Sequence, residues 1–210
     1  MEFGRLLEIV GDEPVFETGL LLAGDVQPHA VRRQLTRWTQ AGRLEQLRRG
    51  VYALAPPYRK YVPHPFLVSN RMVRPSYVSL QAALAYYGLI PEYVPVVTGV
   101  TAARPGRWTT SLGVFEYHHI RPALWRGFHP VQVSPGQNAF VASPEKALLD
   151  LIALQPHGET RAYLQELRLQ NLEQLNPTEL QRLAVTPKLR RAVAQLMALA
   201  DQETRGFETM

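Results

Sequence analysis

Three stretches of this chain bring charged or reactive side chains together. In SPEKALLDLIAL, Glu145, Lys146 and Asp150 set two carboxylates beside an ammonium, the groups with which a metal-dependent nuclease holds its cation and activates water. On a helix, though, Glu145 falls in the first turn, where a carboxylate favours the backbone dipole. Lys146 and Asp150 then stand at i and i+4 as an ion pair. That spacing favours a structural trio over a catalytic one. His118 and His119 adjoin in LGVFEYHHI; on a strand they point to opposite faces and do not easily ligate one metal. The chain holds no cysteine, which removes disulfides and thiolate metal sites. It also lacks H-E-x-x-H, the phosphate-binding G-x-x-x-x-G-K-[ST] and the G-x-S-x-G elbow. No metal, no cofactor and no enzymatic activity are expected.

The third stretch is of another kind. Residues 1–28 carry one arginine against six acids, whereas residues 29–60 carry eight basic residues against Glu45 alone. That segment nets +7, more than the +5 of the whole chain. A concentrated basic stripe is the electrostatic footprint of phosphate binding, but a solvated helix face has the same composition. Periodicity decides between them. Val31, Leu35 and Trp38 recur at four and three residues and predict one buried helical face. Trp38 is thereby core rather than a platform for stacking bases. His29, Arg33, Thr36, Arg37 and Gln40 point the other way, with Arg32 on the flank.

The elements that must hold this face are legible on either side. Phe3, Leu6, Leu7 and Val10 predict an amphipathic first helix, stopped at Gly11-Asp12-Glu13-Pro14. A second short helix is expected with Thr18 as its N-cap, running through Leu20–Leu22 to Gly24. The third begins at Pro28, a residue tolerated at a first helical position because only an unpaired N–H is lost. Then RLEQLRRGVYAL reads as a β-hairpin turning at Gly50. Helix, short helix, basic helix and hairpin is the order of a winged helix-turn-helix, with Arg48 and Arg49 on the wing. Arginine and glutamine bond bidentately to guanine and adenine, so Arg33, Arg37 and Gln40 are candidates for base edges. Arg32, Arg43, Arg48 and Arg49 are candidates for phosphate contacts.

After residue 55 the texture changes. APPYRKYVPHP has four prolines in eleven residues and reads as a stiff connector, which puts a winged helix-turn-helix domain at 1–58 and a second domain at 62–210. The second is expected to be mixed α/β and to end in helices, making the whole chain α+β. Phe66–Val73 and SLQAALAYYG, capped by Ser79, read as helices. Residues 94–102 and 112–120 read as strands joined by a basic loop, ARPGRWTT, with weaker strands near Val131–Val133 and Phe140–Ala142. Ser143-Pro144-Glu145, Asn176-Pro177-Thr178-Glu179 and Thr186-Pro187 each place a capping side chain before a proline, and Glu179 at N3 predicts a capping box. The chain opens MEFGRLLEIVGDE, without a secretory signal. The apolar, uncharged run 75–91 is too short and polar to span a bilayer. A cytoplasmic protein without membrane contact is expected.

VRRQLTRWTQAGRLEQLRRGVYAL, NRMVRPSYVSLQAALAYYGLIP, VTGVTAARPGR, LGVFEYHHI and ASPEKALLDLI occur in that order over roughly residues 5–155. Together they resemble the AbiEi family, antitoxins of abortive-infection type IV toxin–antitoxin systems and related transcriptional regulators. The resemblance implies an N-terminal winged helix that binds double-stranded operator repeats and represses its own operon. It further implies a C-terminal domain that counters a nucleotidyltransferase-like toxin. The alternative is a stand-alone regulator whose second domain senses a ligand or binds a protein.

Overall fold

Leu6 and Val10 are buried on α1 (Phe3–Val10), and Gly11, at φ +57°, ends it by donating its N–H to Leu7 O at 2.9 Å. The computed structural model describes residues 1–23 and 26–208, with side chains as far as Leu199. A two-residue strand follows, β1 (Phe16–Glu17), then a 3-10 turn over Thr18–Leu22. Thr18 does not cap this turn. Its N–H and its hydroxyl both donate to Gly50 O, at 2.9 and 3.3 Å, because the short strand carries Thr18 against the tip of the hairpin. Gly24, the expected end of this element, lies outside the described residues.

The basic helix is α2 (Pro28–Gln40), and the hairpin is β2 (Leu44–Arg48) with β3 (Val51–Leu54). The three strands make an antiparallel sheet in the order β1-β3-β2. All four residues of β3 are buried, and they alternate between two cores. Tyr52 and Leu54 join Leu6, Val31, Leu35 and Trp38 under the helices. Val51 and Ala53, with Leu47 and Val15, pack instead against Val68, Met72, Val73, Phe115 and Tyr117 from beyond the proline-rich connector.

Those partners belong to α3 (Pro65–Met72), the residue after it, and a six-stranded sheet. The sheet contains β4 (Ser76–Val78), β5 (Val96–Thr101), β6 (Gly106–Thr110), β7 (Gly113–His119), β8 (Phe128–Ser134) and β9 (Gln137–Ala142), in the order β6-β7-β5-β4-β9-β8. β5 runs parallel to β7 and β4 parallel to β9; the other neighbours are antiparallel. Two features depart from the sequence expectation. The ARPGRWTT loop becomes the edge strand β6, whose Trp108 turns inward onto Tyr117. β4, a strand of three residues, occupies the middle of the sheet where only a helix boundary was expected.

Helices α4 (Leu80–Tyr86), α5 (Pro144–Leu154), α6 (Arg161–Glu166), α7 (Pro177–Leu183) and α8 (Pro187–Glu208) complete the chain. Fold class is therefore mixed α+β, and the largest core lies among α4, α5, α7, α8 and the sheet. Ser143 caps α5 by accepting from Lys146 N, and Thr186 accepts from Leu189 N at the start of α8. Asn176 accepts from Thr178 N and Glu179 N, but the capping box is not closed by Glu179. That carboxylate turns to Arg182, with contacts of 2.7 and 2.6 Å. Glu145 of α5 takes its place, accepting from Asn176 N at 2.9 Å. Ser79 is not a side-chain cap either; its hydroxyl donates to Asp150 at 2.8 Å.

Candidate nucleic-acid interface

α2 is held by Val31, Leu35 and Trp38, the last only 7% exposed. Burying three such side chains contributes about 1.5–3 kcal/mol each, enough to fix which way the helix faces. Phe3 meets Trp38 edge-on at 5.3 Å and closes that side. His29, Arg32, Arg33, Thr36, Arg37 and Gln40 are all exposed, on the outer face the periodicity predicts. No acidic residue occurs between Val26 and Leu44.

The structure sorts the eight basic residues of 29–60 into two groups. Arg59 approaches Glu45 at 3.5 Å and Lys60 approaches Asp12 at 2.6 Å. Arg43 lies over the Phe3 ring, 5.1 Å from its centroid. Arg48, expected on the wing facing phosphate, is turned toward the six-stranded sheet. Its Nη1 donates to Met72 O at 2.7 Å and its guanidinium covers Trp108 at 5.0 Å. The cause is the β-bulge between Gln46 and Arg48, which pairs Arg48 with Val51 and turns it to the face of the hairpin that packs against α3. Arg32, Arg33, Arg37 and Arg49 have no side-chain partner among the described residues.

These four guanidiniums are not scattered. Arg32 and Thr36 of α2 line one concavity of about 420 Å³ together with Arg49, Gly50, Thr18 and Tyr52. Arg33 and Arg37 continue the outer face of α2 beyond it. The Thr36 hydroxyl donates to Arg32 O at 3.0 Å, which leaves its lone pairs outward. Helix face and hairpin tip thus border one cationic groove, with Thr18 holding the tip through Gly50 O. Arg49 rather than Arg48 is the hairpin arginine brought to it.

The other sites raised by the sequence resolve differently. His118 lies 3.3 Å from Glu116, while His119 pairs with Ala103 O at 3.1 Å, so the two rings diverge. Among the described residues no cluster of three or more His, Asp or Glu is placed to hold a metal. Lys146 and Asp150 do pair, in the core: Asp150 is wholly buried and also accepts from Tyr77 Oη at 2.9 Å and from Ser79. Burial pushes the Asp150 carboxyl up from its ordinary pKa against the pull of Lys146, Ser79 and Tyr77. Burial and the adjacent Asp150 push the Tyr77 phenol far up, which keeps it a donor. Among the described residues no helix is long and apolar enough to cross a membrane.

No protein-family model matches the chain, and no curated protein is significantly similar to it.

Proposed function

We propose that residues 1–58 form a winged helix-turn-helix that binds double-stranded DNA, and that the chain represses transcription of its own operon. The observation that carries this is the sorting of charge. Within the most basic segment, half of the cations have internal partners; of the other four, Arg32 and Arg49 line one groove between α2 and the hairpin tip, and Arg33 and Arg37 stand on the exposed face of α2 beside it. A cluster of exposed cations of one sign attracts a polyanion and gains from the counterions released when it binds. Arg33, Arg37 and Gln40 read base edges, with His29 and Thr36 beside them; Arg32 and Arg49 hold phosphates.

The experiment is a binding titration with duplex taken from immediately upstream of the chain's own gene and with a scrambled duplex, at low and high salt. Arg37→Ala is expected to cost about 1–3 kcal/mol on the upstream duplex and to relax preference at one base pair. Arg49→Ala is expected to weaken both duplexes alike and to flatten the salt dependence by about one counterion. Wild-type affinity that does not change with salt would sink the DNA-binding reading.

The resemblance to AbiEi supports a second role, as antitoxin to a nucleotidyltransferase-like toxin encoded beside it. Co-expression with such a neighbour tests this: restored growth supports it and unrelieved toxicity rejects it. A stand-alone, ligand-sensing regulator is the other reading, and one cavity of the second region favours it.

A further inference from the structure

Where α3 ends, the chain leaves a cavity of about 750 Å³ between Arg71 and Arg74 on one side and β8 and β9 on the other. Its floor is aromatic. Tyr77 stacks on Phe128 at 4.3 Å, Trp125 meets Phe128 edge-on at 5.3 Å, and Phe128 meets Phe140 at 6.2 Å. The row stops at Phe140, which is 47% exposed and presents its open side to the cavity. One further flat ring would continue the series in the geometry aromatic pairs prefer.

The rim is cationic and poorly satisfied. Arg74 lies 3.1 Å from Glu17 Oε1, yet that buried oxygen accepts no hydrogen bond among the described residues. The pair has proximity without alignment, and with both side chains about half exposed it is a weak one that a better-aligned acceptor can replace. Arg71 bonds Glu13 at 3.1 Å, a solvent-exposed pair of the sort that contributes little. Asn138, exposed on the opposite wall, adds an amide with no side-chain partner among the described residues. A carboxylate matches a guanidinium fork bidentately, whereas the acids now present do so imperfectly.

We infer that this cavity is an effector site for a planar aromatic carboxylate, its ring laid against Phe140 and Trp125 and its carboxylate held by Arg74 with Arg71. The ligand competes with Glu17 and Glu13 for those arginines. Glu17 lies in β1, paired with Val51 of the hairpin, and Met72 at the end of α3 holds Arg48. Occupancy therefore frees two carboxylates beside the DNA-facing region and makes its field more negative. This coupling rests on the DNA-binding reading above; the cavity assignment does not.

The test is calorimetry on the full chain with 2-naphthoate and indole-3-acetate, and with neutral 2-naphthamide as control. One equivalent of 2-naphthoate is expected to bind with Kd on the order of 0.1 mM. Arg74→Gln and the neutral amide should each weaken binding about 10-fold, while Glu17→Gln, which removes the competitor, should tighten it. Failure of both carboxylates to saturate overturns the site, as does equal affinity for the amide or for Arg74→Gln protein that melts normally. With 2-naphthoate present, affinity for the upstream duplex should fall at least about 5-fold. Probe binding without that fall overturns the coupling. Probe binding by a chain that binds no duplex at all sinks the DNA-binding reading and leaves the cavity site standing.

Discussion

Asp150 gathers three buried polar side chains, with Lys146, Tyr77 and Ser79 all turned toward its carboxylate. Taking two charges into a core gains little by itself, but removing one partner leaves the other unpaired and costs about 3–5 kcal/mol. Lys146→Met is expected to lower stability by about that amount in urea denaturation. Adding Asp150→Leu should recover part of the loss, held back because the Tyr77 and Ser79 hydroxyls then lack an acceptor. A loss under about 1 kcal/mol for Lys146→Met would mean that the pair is worth no more than a surface bridge. The ion pair itself was legible in the sequence, since it needs only an i, i+4 spacing. Its depth was not, because Tyr77 and Ser79 reach it from 73 and 71 residues away. The same distinction runs through the arginines. Helical period identified Arg33 and Arg37 as outward, whereas the capture of Arg48 by Met72 and Trp108 depends on contacts that no local spacing encodes.

Among the elements, α3 begins on a titratable cap. His64 Nδ1 accepts from Phe66 N at 3.2 Å, and burial holds the imidazole pKa below its ordinary 6.5. Protonation removes the acceptor. The unfolded chain therefore binds more protons than the folded one between the depressed value and 6.5, so stability rises with pH across that window. Melting temperature should be at its plateau above about pH 6.5 and decline as pH falls through the window. In His64→Asn, which keeps an acceptor without titrating, this part of the decline should vanish. An unchanged profile in that variant would remove His64 from the account. Other elements yielded unevenly to the sequence. α2 and the hairpin carry strong period and a glycine turn. β4 has three residues, too few for any period to register, and owes its existence to pairing with β5 and β9. β6 has the composition of a loop, because Arg104-Pro105-Gly106 dominates its start, while the inward turn of Trp108 is a tertiary preference.

Across the whole molecule, the back of the hairpin is the seam. Leu47, Val51 and Ala53 pack on Val68, Met72, Phe115 and Tyr117, so a piece ending near residue 60 exposes one face of its own sheet. Each large apolar side chain uncovered costs about 1.5–3 kcal/mol. Residues 1–60 alone should melt at lower temperature than the full chain and bind a hydrophobic dye that the full chain excludes. Equal melting temperatures would show that the seam contributes nothing. The clue was present in VYAL, an unbroken apolar run where a half-exposed wing strand would alternate. The adjoining prolines mark a boundary in composition that is not a boundary in packing.

A seam of this kind also restricts how such a protein can be recombined. A DNA reader joined to its effector by a bare tether can be exchanged between genes as a cassette, with the cut placed in the tether. Here the cut at residues 56–64 would separate Leu47 and Val51 from the helix and strands that cover them. A transplanted reader must bring α3 and the β6–β7 hairpin with it, or find a host presenting the same apolar relief. On the DNA-binding reading proposed above, changes in operator preference are therefore open to substitution on the outer face of α2, while wholesale replacement of the reader is closed.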